Sequence, residues 1–294
     1  MCQWKHGVNT LETLSASLSS LHYTCIESDV GLDAYTQTPV MQHAPIVYLR
    51  WDKPLGLLEW IHTVEASAWF NHSSPKVIKF DFKHIDCVGP SVQWISKSLL
   101  YSSPHVSIWL NADVLPGPGT VFSRSLDAQM FLTAIQPLKR ATFSLGWTTS
   151  FSYLFPPKYS PHMVDQMLAL SSTLNHSMVF PIRASLLRTS WGELKRLTLP
   201  YPPYTHSLSV WTGAEGVPAS DIRWMKQNTN ITMYDIEKRS HGGWNSANRV
   251  LSAAMLIELG GIMFIIFCWR MFVLPHVQRR YNKKMIYNGF VALL

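Results

Sequence analysis

Short runs of β-branched and aromatic residues recur near residues 3–8, 23–29, 77–82, 106–111, 141–146, 178–183, 207–211 and 231–235. Such runs read as strands. Most are followed by a longer stretch with apolar residues at helical spacing, as at 54–70, 89–101, 126–137, 162–175 and 218–228. Strand-then-helix alternation implies a parallel sheet covered by helices, and eight such units in about 240 residues are what a (β/α)8 barrel of TIM type requires. A doubly wound open sheet is the competing architecture. The polar residues decide between them. His6, Glu27, Asp29, Asp81, Lys83, Asn111, Asp113, Arg183 and Asp235 fall at or just past the C-terminal ends of the strand-like runs. In a barrel these ends converge on one mouth, whereas one crevice of an open sheet would not draw on so many strands. The expectation is an α/β barrel.

The pattern changes at Leu251–Trp269, LSAAMLIELGGIMFIIFCW, where Glu258 is the only charge. That length approaches the ~20 apolar residues that cross a bilayer. Basic residues follow it, which by the positive-inside rule places the C-terminus in the cytoplasm. The expected plan is a barrel over residues 1–240, a transmembrane helix over 250–274 and a basic cytoplasmic tail over 275–294. The alternative is that the apolar run is the eighth barrel helix, because residues 237–250 contain Gly242-Gly243 and form a poor helix. With an anchor, the barrel is lumenal or extracellular; without one, the extracellular space is expected. Three glycosylation sequons, at Asn71, Asn175 and Asn230, agree with this placement. The opening Met1-Cys-Gln-Trp-Lys-His has no apolar stretch of the signal-peptide kind.

Apolar residues make up 47% of the chain and charged residues only 15%, so a full core is available and disorder is excluded. The net charge of +7 does not indicate a nucleic-acid surface. Most of it comes from Arg270, Arg279, Arg280, Lys283 and Lys284 in the tail, not from a folded face. No nucleic-acid partner is expected. The four cysteines lack Cys-x-x-Cys spacing. They read as buried or free thiols, with a Cys25–Cys87 bridge as the alternative.

Glu27-Ser-Asp29 places two carboxylates on one face of a strand, and Asp81-Phe-Lys83 repeats the spacing. Carboxylates converging at one mouth suit a hard divalent cation, Mg²⁺ or Ca²⁺. A lysine beside them can neutralise a phosphate oxygen. His6 and His43 offer an acid/base pair. Singly, each residue has a plainer role as an ion pair, a surface charge or a carbonyl-bonded histidine. Jointly they indicate a site, because buried charges are costly unless paired or metal-bound. The chain has no Gly-x-Ser-x-Gly elbow, Gly-Lys-Ser/Thr phosphate loop or His-Glu-x-x-His motif, and Gly117-Pro118-Gly119 reads as a turn. Trp109, Trp147 and Trp211 read first as core and second as substrate platforms.

The runs Trp4-Lys-His6-Gly-Val-Asn9, Ile26-Glu-Ser-Asp-Val30, Pro39-Val-Met-Gln-His43 and Ile78-Lys-Phe-Asp-Phe-Lys83 occur in this order. Trp109-Leu-Asn-Ala-Asp113, Phe143-Ser-Leu-Gly-Trp147, Phe180-Pro-Ile-Arg183, Trp211-Thr-Gly213 and Tyr234-Asp235 follow. Together they resemble the menorin family, a branch of the glycerophosphodiester phosphodiesterase-like barrels. The resemblance implies that His6 and His43 are catalytic acid/base histidines. It implies that Glu27, Asp29 and Asp81 are the divalent-metal ligands and that Lys83 contacts phosphate. The substrates it implies are phosphodiesters, including glycerol and lysophospholipid head groups. One departure is clear: the superfamily usually follows its first histidine with Arg-Gly, and here Gly7-Val8 follows. Arg183 is the candidate substitute for that phosphate-binding arginine. The resemblance also implies an alternative role, that of a cell-surface ligand that patterns dendrites through protein partners without turnover.

Overall fold

The structure, a computed structural model, describes residues 2–20, 22–43, 54–120, 125–150, 157–199, 204–213, 216–229, 231 and 233–235. The chain begins with β1 (Trp4–Lys5), α1 (Leu11–Leu18), β2 (Cys25–Leu32), β3 (Pro39–Met41), α2 (Leu57–Glu65) and α3 (Ala68–Asn71). It continues with β4 (Lys76–Phe82), α4 (Ile85–Lys97), α5 (Leu99–Ser102), β5 (Val106–Pro116), α6 (Ala128–Ile135) and β6 (Thr142–Thr148). Then come α7 (Pro161–Ser172), β7 (Met178–Arg183), α8 (Ala184–Leu194), a 3₁₀ turn at Lys195–Thr198, β8 (His206–Trp211), α9 (Ala219–Asn228) and β9 (Met233–Asp235).

All eight expected strands form and run parallel, in the order β1-β2-β4-β5-β6-β7-β8-β9. Strand β9 comes back against β1, so the sheet is a nearly closed, TIM-like barrel. Strand β3 was not expected. It folds back antiparallel on β2, pairing Val30 with Met41 and Leu32 with Pro39. This hairpin lengthens β2 to Leu32, and β5 runs on to Pro116 after a register shift beyond Asp113. Glu27, Asp29, Asn111 and Asp113 therefore stand within strands rather than at their ends, a correction to the sequence reading. Helices α1 and α8 also lie where no helical spacing stood out. Serines dilute α1, and its start depends on a local cap, with the Thr10 hydroxyl accepting from Thr13 N–H and the Thr13 hydroxyl from Thr10 N–H, both at 3.1 Å.

Strand alternation separates two environments. Ile26, Val30, Ile78, Phe80, Phe82, Ile108 and Leu110 are buried on the face that meets the helices. There Trp60 of α2 lies edge-on to Phe80 at 5.4 Å, and Phe131 of α6 meets Phe82 at 5.9 Å. Each such side chain contributes about 1.5–3 kcal/mol by leaving water. The opposite face carries the polar residues. Asp29 pairs with Asp81, Asp81 with Asn111, and Asn111 with Ser144, so these four form one row across β2, β4, β5 and β6. Glu27, Lys79 and Trp109 form the row beneath. Lower still, Trp4 packs on Trp109 with ring centroids 5.5 Å apart.

The cysteine reading is corrected for one pair. Strand register sets Trp4 beside Cys25, which brings Cys2 within disulfide distance, and a Cys2–Cys25 bridge forms with a Cα separation of 5.8 Å. Cys87 is a buried free thiol whose Sγ donates to the His84 carbonyl at 2.9 Å. Persistent disulfides belong to oxidising compartments, which fits passage through the secretory pathway. No helix among the described residues is long and apolar enough to cross a membrane. The run Leu251–Trp269, the assignment of the eighth helix, Cys268 and the Asn230 sequon lie outside the described residues. Opening the Cys2–Cys25 bridge by Cys25→Ser is expected to cost about 2–4 kcal/mol. Thermal unfolding with and without reductant checks this, and an unchanged midpoint would rule the bridge out as a stabilising link.

Candidate metal centre and active site

Strand β1 stops at Lys5, and the chain turns at Gly7, whose φ is +65°. The turn brings two donors onto one oxygen of Glu27: Gly7 N–H at 2.9 Å and His6 Nδ1 at 3.1 Å, both on Oε2. Val8 N–H donates to the Glu27 carbonyl at 2.9 Å. A positive φ of this kind favours glycine. That gives a physical reason for glycine where the resemblance would place arginine. The Glu27 side chain is fully buried, and its second oxygen, Oε1, has no hydrogen-bond partner among the described residues. Burial pushes this carboxyl up to about 7, with His6 opposing and Asp29 adding to the rise.

Asp29 is held by Asn9 from both directions. Asn9 Nδ2 donates to Asp29 Oδ2 at 2.7 Å, and Asp29 N–H donates to Asn9 Oδ1 at 2.8 Å. Across the row, Asn111 Nδ2 donates to Asp81 Oδ1 at 2.7 Å, and the Ser144 hydroxyl donates to Asn111 Oδ1 at 2.5 Å. Lys83 Nζ fills the space between the acids, 2.7 Å from Asp81 Oδ2 and 3.2 Å from Asp29 Oδ1. Burial works to raise Asp81, but Lys83, Lys79 and the hydrogen bonds from Lys83 and Asn111 outweigh it and hold the carboxyl below its ordinary value. Burial works to discharge Lys83, but Asp81, Asp29 and Asp113 outweigh that and keep it charged. One oxygen each from Glu27, Asp29 and Asp81 lies within 4.8 Å of the others. Three carboxylates so close, one with a buried unpaired oxygen, fit a hard divalent cation.

His6, Glu27, Asp29, Asp81 and Lys83 are thus brought together. His43 is not tied to them. The β3 hairpin returns the chain to Asp29, where Gln42 N–H donates to the Asp29 carbonyl at 2.9 Å, and His43 follows with an exposed side chain. It makes no hydrogen bond or ion pair among the described residues. Arg183, ending β7, holds the Thr149 hydroxyl at 3.3 Å and lies over the Trp211 ring at 5.2 Å. Trp147 is buried edge-on to Tyr159 at 5.2 Å, and Trp109 packs on Trp4, so both serve as core. The side chain of Asp235 lies outside what is described.

Sequence reading gave no role to Asn9, Lys79 or Ser144. Parity was the available signal for two of them, since Lys79 shares the face of Asp81, and Ser144 the row of Asn111. Asp113 stands two residues beyond Asn111. Burial, with Asp81 adding, pushes its carboxyl up to about 7.

The sign of the pH dependence follows from the raised carboxyls. Each binds its proton more tightly folded than unfolded, so its stability contribution falls as pH rises from the unfolded to the folded value. The window runs from 4.5 to about 7 for Glu27 and from 3.8 to about 7 for Asp113. In chelator, the unfolding midpoint is expected to fall between about pH 5 and pH 7.5, and Glu27→Gln to flatten the fall. Equal slopes in wild type and variant would contradict the burial of an ionising Glu27.

The family model described as the menorin N-terminal domain matches residues 1–240. The human protein FAM151B is 33% identical over 251 residues, covering 81% of this chain and 83% of its own length. The family model spans the whole described barrel, and the chain belongs to the menorin family.

Proposed function

We propose that the barrel is a divalent-cation-dependent phosphodiesterase, with Glu27, Asp29 and Asp81 holding one Mg²⁺ or Ca²⁺. The observation that carries this reading is the fully buried, unpartnered Glu27 Oε1 beside two further carboxylates. A bound cation would polarise a phosphate oxygen at the mouth. Glu27 divides its labour: Oε2 fixes His6 through Nδ1, and Oε1 is left for the cation. His6 then moves a proton through Nε2, with Glu27 supporting its charged form. His43, exposed where the β3 hairpin returns to the level of Asp29, would serve as the opposite acid or base. Lys83 stabilises the charge developing on phosphate, and Arg183 is a second anion contact.

The substrate class is a phosphodiester of a glycerol or lysophospholipid head group. The disulfide and the exposed Asn71 and Asn175 sequons support a lumenal or extracellular barrel. The apolar run Leu251–Trp269 with its basic flank supports a membrane anchor. One observation favours a second reading, a cell-surface ligand that binds a protein partner without turnover: His43 is exposed and untied to the acidic row.

Calorimetry of the full chain with MgCl₂ and CaCl₂ separates the readings. Saturable binding is expected in wild type and should be lost in Glu27→Gln/Asp29→Asn. Phosphodiester turnover should fall at least about 10²-fold in His43→Ala, with metal affinity unchanged. Binding without turnover in wild type supports the adhesion role. No binding by the folded chain refutes the metal-dependent site.

A further inference from the structure

Every oxygen of Asp29 and Asp81 is already in use. Asp29 Oδ2 belongs to Asn9 and Asp81 Oδ1 to Asn111; the other two, Asp29 Oδ1 and Asp81 Oδ2, are held by Lys83. A carboxylate oxygen that accepts one hydrogen bond can still ligate a metal, but a divalent cation that joins Glu27 to Asp29 and Asp81 would enter beside the Lys83 ammonium that both acids hold. Two like charges cannot share that space at close range without strong repulsion. The lysine stem is flexible enough to carry its ammonium elsewhere, and one carboxylate stands ready. Asp81 and Asn111 are paired across β4 and β5. Lys83 lies two residues beyond the first and Asp113 two beyond the second, so both face the barrel interior on neighbouring strands. Lys83 already feels Asp113 electrostatically. The Asp113 carboxylate has no hydrogen bond or ion pair among the described residues. Room for it is built into the next strand: a Cβ on Gly146 would meet Asp113 Oδ1 at 2.5 Å.

We propose that Asp113 is the positioning residue that receives Lys83 when a divalent cation enters, so that the ammonium swings from Asp29 and Asp81 to Asp113 and ends at the mouth facing the phosphate. The inference rests on the metal reading above. Without a cation, Lys83 is the counter-charge of the acidic row. With one, Asp113 keeps the displaced lysine charged and close to the site instead of expelled into solvent.

The test is a double-mutant cycle read by calorimetry with MgCl₂ on the full chain, at a pH where the carboxyls are ionised. Asp113→Asn is near-isosteric and should weaken Mg²⁺ binding by about tenfold in the wild-type background. In the Lys83→Met background, where no lysine needs a new partner, the same substitution should change affinity less than about twofold. Gly146→Ala, which crowds the carboxylate but leaves the charge, should reproduce the loss only when Lys83 is present. An equal effect of Asp113→Asn in both backgrounds would mean that Asp113 acts directly on the cation, and would overturn the relay. So would no effect in wild type. Absence of Mg²⁺ binding in wild type and in Lys83→Met would overturn the metal reading itself, and the relay with it.

Discussion

The row that joins Asp29, Asp81, Asn111 and Ser144 across four parallel strands is the constraint on which the rest of this barrel depends. Parallel pairing puts same-parity residues side by side, so a register error of one residue on any of these strands would replace an acid, or the amide or hydroxyl that supports it, with a core side chain such as Phe80 or Leu110. Charges this deep are tolerated only when compensated. Here the compensation is specific. Lys83 bridges two acids, Asn9 and Asn111 each clamp one, and Ser144 fixes the amide of Asn111. The one oxygen left out of this arrangement, Glu27 Oε1, marks where compensation from within the chain ends.

Much of this could be read from the sequence because strand alternation and barrel topology are both simple rules. Spacing at i and i+2 is enough to place Glu27 with Asp29, and Asp81 with Lys83, on one face, and the structure keeps both pairs there. All eight parallel strands were visible as β-branched and aromatic runs. The hairpin strand β3 was not, because three residues, Pro39–Met41, are too few to show alternation. The disulfide was missed for a related reason. Cys2 and Cys25 are 23 residues apart, and only the pairing of Trp4 with Cys25 makes them neighbours. Helix α1 escaped notice because its stability comes from the hydroxyl cap at Thr10 and the burial of Leu14 and Leu18, not from a long apolar stripe. Asn9 was invisible as a site residue because its role depends on a turn at Gly7 that no periodicity announces.

The same turn accounts for glycine at position 7, the main departure from the pattern that the sequence resemblance implies. With φ at +65°, position 7 is a place for glycine, and its N–H is spent on Glu27 rather than on a ligand. An arginine there would be strained in this conformation. Cationic side chains instead stand on other strands, Lys83 after β4, held between Asp29 and Asp81, and Arg183 at the end of β7. The stacking of Arg183 on Trp211 narrows the orientations its guanidinium can take.

Strand β1 ties the fold to the chemistry. It spans only two residues, Trp4–Lys5, too few to hold itself in the barrel by ladder hydrogen bonds. Below, it is pinned covalently through Cys2–Cys25 and by Gln3, whose N–H donates to the Thr24 hydroxyl at 3.0 Å. Above, it is pinned by Glu27, which gathers the His6 ring and the Gly7 amide onto one oxygen. Closure against β9 and the placement of His6 therefore rely on the same anchors, the disulfide and the Gln3 hydrogen bond below and the Glu27 carboxylate above. A carboxylate that closes the barrel with Oε2 while leaving Oε1 unpaired is held rigid by the fold it completes. Rigid ligands lose little freedom on binding, so the closure of the barrel at β1 would also pre-organise these carboxylates for the cation proposed above.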